Sequence, residues 1–429
     1  MPPIWAAIPL GVQHVLAMFI SNITPAIIVA GAAGLDAGEA STVYLIQMSM
    51  LFAGAATLLQ TIGIGRMGAR LPIVQGTSFA FLPIMIPIVD GKGPDALGLI
   101  AGGVIIGGLF HTSLSFAIGA VRVALPPLVT GLVVLMLGLL LMPVGVDYAA
   151  GGQAAQSAGT YGSLMNWAAA LVVIVVTLSL KFFGRGLWDT ASILIGLLAG
   201  YAFALVMGLV NTDAVAAVQW GALPQLFPFG ITFDVGAVIG FCLMSVISAI
   251  ESVGDVSGIT RSGAGRDATL NELRGAILAD GAGTAAAGLF GAFPNTSFSQ
   301  NVGLIAMTGV MSRHVVTCGA VFLLLCGLMP KIGAAIATVP TAVLGGSVII
   351  MFGMVASAGM AILSQVDWTQ RTMTIFAVSL SVGLGFALRP EVLGAVPDAL
   401  RVLLATGLLP ATVIAVTLNL VLPESRTEA

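Results

Sequence analysis

The sequence predicts an all-α polytopic membrane protein, and three observations carry that expectation. Of 429 residues, 58% are hydrophobic and 8% charged, with a mean hydropathy of +1.09; a soluble domain carries about 25% charged residues. The apolar residues fall into many runs of roughly 20, long enough to cross a bilayer as a helix. Glycine is abundant, at 55 residues, as expected where helices pack closely through small side chains. A β-barrel would instead show alternating segments of about ten residues, and these are absent. The net charge of −3 says nothing about nucleic acid, and no basic cluster exists to bind one. Cys242, Cys318 and Cys326 lie in apolar runs without metal spacing and read as buried thiols. The first apolar run has no basic region or cleavage site before it and reads as a mature span, not a signal peptide.

Apolar runs punctuated by Gly, Pro and charge give fourteen expected spans, centred near 18, 52, 80, 107, 132, 172, 198, 243, 281, 302, 323, 348, 380 and 411. The third and tenth differ from the rest because each carries a polar interruption. The third reads Gln75-Gly76-Thr77-Ser78-Phe79-Ala80, and the tenth Asn295-Thr296-Ser297-Phe298-Ser299-Gln300 after Phe293-Pro294. Polar, non-helical backbone is tolerated at membrane depth only when buried in protein or lining a water-filled cavity. The two breaks share Thr-Ser-Phe at 77–79 and 296–298, about half the chain apart, and each is third in a set of seven. An odd number of spans per half makes the halves an inverted repeat, and matched interrupted segments point to a transporter's central site.

Lys and Arg set the orientation. With the N-terminus in the cytoplasm, eleven of the fifteen basic residues fall inside, among them Arg122, Arg261, Arg266, Arg274 and Arg426. Lys92, Lys331, Arg389 and Arg401 fall outside. Both termini are therefore expected in the cytoplasm, with the chain in the cytoplasmic (inner) membrane. The external connections around 143–163 and 211–231 are expected to hold interfacial or extracellular helices.

Ionisable groups at membrane depth are costly and by default functional. Glu251 and Asp255, in the eighth span, share one helical face at a spacing of four. Asp280 lies in the ninth. The structural alternative pairs Asp255 and Asp280 with Arg261 or Arg274. Carboxylates grouped out of water compete for protons, which suits proton-coupled transport. Gln300 offers an acceptor and a donor to a planar amide-like ligand, and Asn301 the same chemistry on another face. A half-helix starting near Ser299 would aim free N–H groups at the centre of the protein. Phe79 and Phe298, one from each break, could clamp a flat ring, or simply pack in the core. Histidine titrates near physiological pH, so His14, beside Gln13 in the first span, is a candidate relay or a neutral residue bonded across helices. His111 and His314 stand near span ends and read as interfacial.

The chain resembles the nucleobase–ascorbate transporter family, also called nucleobase cation symporter-2. That family's motif, Gln or Glu, Asn, any residue, Gly, four residues and Thr, is met in full at Gln300-Asn301-Val302-Gly303-Leu304-Ile305-Ala306-Met307-Thr308. Gln13-His14, Thr77-Ser78-Phe79, Glu251 with Asp255, and Asp280 also look like its landmarks, in order along nearly the whole chain. The resemblance implies a seven-plus-seven inverted repeat with a short strand in each broken segment. It divides the chain into core (1–120 and 231–335) and gate (121–230 and 336–429), often dimeric through the gate. It implies a nucleobase between the breaks, bonded by Glu251, by Gln300 and by adjacent backbone. Members that take xanthine or uric acid usually have Gln and Asp where this chain has Gln300 and Asp255; uracil carriers usually have Glu and His there.

The expectation is therefore proton-coupled uptake of xanthine or uric acid. Glu251, Gln300, Phe79, Phe298, Ser299 and Asn301 would contact substrate, while Glu251, Asp255, Asp280, His14 and Gln13 would couple or tune the proton. No cofactor or metal is expected; the proton is the coupling ion, with sodium left open. Alternatives are a uracil or broader nucleobase symporter, and an anion transporter of the same fold, although an anion site would not want Glu251 beside it. A passive channel is the remaining alternative, and it predicts uptake indifferent to protonophores. An intramembrane aspartyl protease using Asp255 and Asp280 is disfavoured because Ser252 breaks its Gly-x-Gly-Asp pattern.

Overall fold

The computed structural model of the chain describes residues 3–36, 38–118, 126–210, 215–216 and 218–423. Arg122, Arg426 and residues 211–214 of the second long connection lie outside the described residues. The apolar runs form α1 (Ile4–Ala32), α2 (Ala40–Ile62), α3 (Leu82–Val89), α4 (Leu97–Leu114), α5 (Pro127–Ala149), α6 (Leu164–Phe183) and α7 (Ser192–Val206). The later runs form α8 (Val235–Ala264), α9 (Leu270–Leu289), α10 (Ser299–Thr308), α11 (Arg313–Gly327), α12 (Pro330–Ala337), α13 (Thr341–Leu363), α14 (Gln370–Leu388), α15 (Asp398–Ala405) and α16 (Leu408–Val421). Two strands, β1 (Gln75–Thr77) and β2 (Asn295–Ser297), interrupt them.

Among the described residues, eight helices, α1, α2, α4, α5, α6, α8, α13 and α14, are long and apolar enough to cross a membrane, and α11 with α12 makes a ninth if that pair, bent by 80°, is one span. The remaining expected segments fall short for physical reasons. Those containing α3 and α10 are broken, α7 and α16 are short, and α9 carries Glu272, Arg274 and Asp280 within its 20 residues. Among the described residues, length and composition by themselves mark eight or nine of the expected crossings.

The interruptions appear where the sequence places them. β1 pairs with β2 antiparallel, Gln75 opposite Ser297, Gly76 opposite Thr296 and Thr77 opposite Asn295. A 3-10 turn, Phe79–Phe81, leads into α3 after the first strand, and α10 starts directly after the second. Gly76 lets the tenth segment approach: a Cβ there would lie 2.0 Å from the Phe298 ring.

Around this pair the helices gather in two groups. α4 packs along α9 and α8, and α11 along α2 and α1. On the other side α13 packs along α5, α6 and α7, and α16 joins α14 to α5. Small residues set the closest seam, since a Cβ added at Gly138 of α5 would come within 2.5 Å of the Ala356 nitrogen on α13. Contacts across the groups include the Tyr148 hydroxyl donating to the Ile27 carbonyl at 3.3 Å and Phe79 meeting Phe352 edge-on at 5.4 Å.

Three details differ from expectation. His111 is 1% exposed rather than interfacial, because α4 lies between α8 and α9; His314 is exposed. Of the cysteines only Cys326 is fully buried. The basic connection after α8 is ordered by its own acids, with Arg261 on Asp267 at 2.8 Å and Arg266 on Glu272 at 2.5 Å.

Candidate functional site

Three-residue strands leave backbone groups that neighbouring helices must satisfy. The Gln75 N–H donates to the Thr57 hydroxyl of α2 at 2.9 Å. The Thr77 N–H donates to Asn22 Oδ1 of α1 at 2.9 Å, and Asn22 is held in turn by the Ser49 carbonyl at 3.2 Å. On the second strand the Asn295 N–H donates to the Thr284 hydroxyl of α9 at 3.0 Å. The strand pair is therefore seated by single polar side chains on otherwise apolar helices.

The carboxylates meet the second break. Asp255 accepts from Ser297 Oγ at 2.6 Å and Ser299 Oγ at 2.7 Å. One turn earlier on α8, half-buried Glu251 accepts from Thr296 Oγ1 at 3.4 Å, a long bond that leaves acceptor capacity. Asp280 is fully buried, with Gln60 Nε2 on Oδ1 at 2.6 Å and the Ser252 hydroxyl on Oδ2. Neither Asp255 nor Asp280 pairs with Arg261 or Arg274 among the described residues. Gln75, also buried, approaches Asp280 without reaching hydrogen-bonding geometry.

The amides divide. Gln300, at the start of α10, is half-buried and makes no hydrogen bond among the described residues, leaving both amide atoms free. Asn301 is committed elsewhere: Nδ2 donates to the Pro72 carbonyl at 2.6 Å, and Oδ1 meets His14 Nδ1 at 2.5 Å. The Pro72 carbonyl fixes the nitrogen end of that amide, so His14 donates from Nδ1. Gln13 is turned away from the carboxylates and donates to Thr190 Oγ1 at 3.2 Å, in the turn before α7. Of the expected cluster, Glu251, Asp255 and Ser299 therefore come together at the second break, Asp280 joins α8 through Ser252, and Gln300 follows Ser299 at the start of α10. His14 with Asn301 forms a separate brace, and Gln13 stands outside.

Phe298 is buried over Gly76, and Phe79 is buried against Phe352. Phe298, the N-cap of α10, supplies no side-chain cap, and the helix starts directly after β2. Sequence reasoning missed Gln60, Asn22, Thr57 and Thr284. Their signal was a lone polar residue inside an apolar run. Two cavities lie elsewhere: one of about 470 Å³ between α1, α7, α12 and α13, and one of about 730 Å³ lined by Arg66, Arg70 and Arg274. Neither is lined by Glu251 or Gln300.

The chain is similar to known proteins along most of its length. The family model described as "Permease family" matches residues 6–392. The chain is 33% identical to the xanthine permease XanQ of Escherichia coli (strain K12), over 98% of this chain and 92% of that one. It is 35% identical to the uric acid permease PucJ of Bacillus subtilis (strain 168), over 96% and 91%. Among solved structures, the transmembrane domain of the cyanobacterial bicarbonate transporter BicA aligns with a TM-score of 0.61 at 12% identity, covering 97% of this chain and 98% of that one. The murine anion transporter Slc26a9 aligns with a TM-score of 0.61 at 13% identity, covering 97% and 68%. At such identities the solved structures show the shared fold alone.

Proposed function

This chain belongs to the Permease family, a multi-pass membrane transporter rather than an enzyme, and from that premise we propose that it takes up a purine nucleobase, xanthine or uric acid, by proton-coupled alternating access. The observation that carries the reading is the meeting of Glu251 on α8 with the second break, from which α10 starts with the unbonded amide of Gln300 in its first turn. An ionised Glu251 accepts ring N–H bonds, and Gln300 reads the neighbouring amide edge with one donor and one acceptor. The α10 N–H groups receive a keto oxygen, and Phe298 and Phe79 wall the flat ring. Ser299 holds Asp255 beside the ligand, and Asn301 acts through its brace on His14.

In this reading the chain crosses the cytoplasmic membrane fourteen times as two inverted sets of seven, with both termini in the cytoplasm. The two helix groups move against each other as core (1–120 and 231–335) and gate (121–230 and 336–429), and two copies join through the gate. The paired strands and their matching threonines, Thr57 and Thr284, support the repeat. Relatives named for xanthine and uric acid support the substrate class. One proton crossing about 150 mV supplies roughly 3.5 kcal/mol, which sustains about a few hundred-fold accumulation.

The test is binding of xanthine, urate, uracil, guanine and ascorbate to purified protein, repeated with Gln300→Glu. The expected result is purine binding by the wild type, and loss of purine with gain of uracil in the variant. No purine binding, or no change on substitution, contradicts the reading. Uptake that survives a protonophore would replace the symporter with a passive route.

A further inference from the structure

Gln60 stands in the last turn of α2, fully buried, and both ends of its amide are bonded. Nε2 donates to the Ala276 carbonyl at 2.9 Å and to Asp280 Oδ1 at 2.6 Å, while Oε1 accepts from the Ala69 N–H at 3.0 Å. The two backbone partners fix which way the amide points: a carbonyl can only accept and an N–H only donate. The NH2 end must therefore face Ala276 and, with it, Asp280. The turn after α2 locks this arrangement, with the Gly68 N–H on the Gly275 carbonyl and the Arg70 N–H on the Gln60 carbonyl, each at 2.8 Å.

Asp280 consequently has two unlike oxygens. Oδ1 faces a donor whatever the state of the carboxyl, so a proton there would point at the Gln60 NH2. Oδ2 faces the Ser252 hydroxyl, which can donate to an ionised carboxylate or accept from a protonated one. We infer that Gln60 is a positioning residue that keeps Asp280 Oδ1 an acceptor and confines the exchangeable proton to Oδ2, on the α8 side, one residue from Glu251. The consequence for transport rests on the proposed proton coupling; the placement of the proton does not.

The titratable groups around Asp280 are few. α8 contributes Glu251 and Asp255, and α4 contributes buried His111. α2 carries only Tyr44, near its other end and bonded to the Phe290 carbonyl. β2 carries none, and Arg66 and Arg70 are exposed in the turn after α2.

The test uses the full chain with Gln60→Met, similar in length but without a donor, and Gln60→Glu, which retains an acceptor for Ala69. Infrared difference spectra across a pH titration report the protonated carboxyl, assigned through its loss in Asp280→Asn. Both Gln60 variants are expected to move the Asp280 carbonyl stretch, to higher wavenumber in Gln60→Met because Oδ1 loses its hydrogen bond. The pH profile of xanthine uptake should shift as well, while xanthine affinity at fixed pH changes by less than about tenfold. An unmoved Asp280 band in the variants, or no such band in the wild type at any pH the protein survives, overturns the inference. Wild-type uptake indifferent to pH would instead overturn the proposed coupling, and the infrared result would still decide the role of Gln60.

Discussion

β1 and β2 each run three residues, and each has its leading N–H taken by a threonine of a neighbouring helix, Thr57 for Gln75 and Thr284 for Asn295. Beyond that they diverge. The first break is held by the neutral amide of Asn22, on the Thr77 N–H, and runs into the apolar Phe79–Phe81 turn. The second sends Thr296, Ser297 and Ser299 to the carboxylates Glu251 and Asp255. Similar backbone geometry thus serves two purposes. Neutral partners suffice to satisfy a buried strand, so charge beside the second break goes beyond what the backbone needs. Under the proposed function the first interruption supplies scaffold and an apolar wall, and the second supplies the polar chemistry.

The largest effect should come from removing charge at the second break. Glu251→Gln is expected to abolish pH-driven xanthine accumulation and to weaken xanthine binding by about 10- to 150-fold, since hydrogen bonds to charged groups contribute about 1.5–3 kcal/mol. Normal accumulation by that variant would erase the contrast. Gly76→Val tests the seam between the breaks: the new side chain meets the Phe298 ring, and overpacking costs about 1–3 kcal/mol, read as a lower melting temperature in detergent. Gly303→Ala, with nothing within 4 Å of the new methyl, is the neutral control.

Thr57→Val and Thr284→Val sharpen the shared part of the design. Each strips the partner from one buried strand N–H, so each should cost a similar amount, about 1–2 kcal/mol of stability, while the pH profile of uptake stays unchanged. Unequal costs, or a shifted profile in one alone, would show that the seats are not equivalent. Thr296→Val should matter least. Its 3.4 Å bond to Glu251 is long, so stability should fall by less than about 1 kcal/mol, with at most a few-fold change in xanthine affinity.

Much of this was legible in the sequence because its signals are local. Thr77-Ser78-Phe79 and Thr296-Ser297-Phe298 marked both interruptions, and intramembrane Glu251, Asp255 and Asp280 stood out against 8% charge. Partners were not legible, because a lone polar residue on an apolar helix does not say which neighbour it faces. Gln60 and Asp280 lie 220 positions apart; only the packing of α2 on α9 joins them. Likewise nothing in Gln13-His14 separates a side chain turned to Thr190 from one turned to Asn301. Nor does nearness to a helix end say whether a side chain is exposed: His111 stands near the end of α4 and is buried, because α8 and α9 cover it.

The most direct measurement is the structure of the protein with xanthine bound. The purine is expected between the strand pair and α8, its ring N–H groups on Glu251 and its amide edge on Gln300. Xanthine seated in the apolar crevice between α1, α7, α12 and α13, with Glu251 untouched, would contradict that placement.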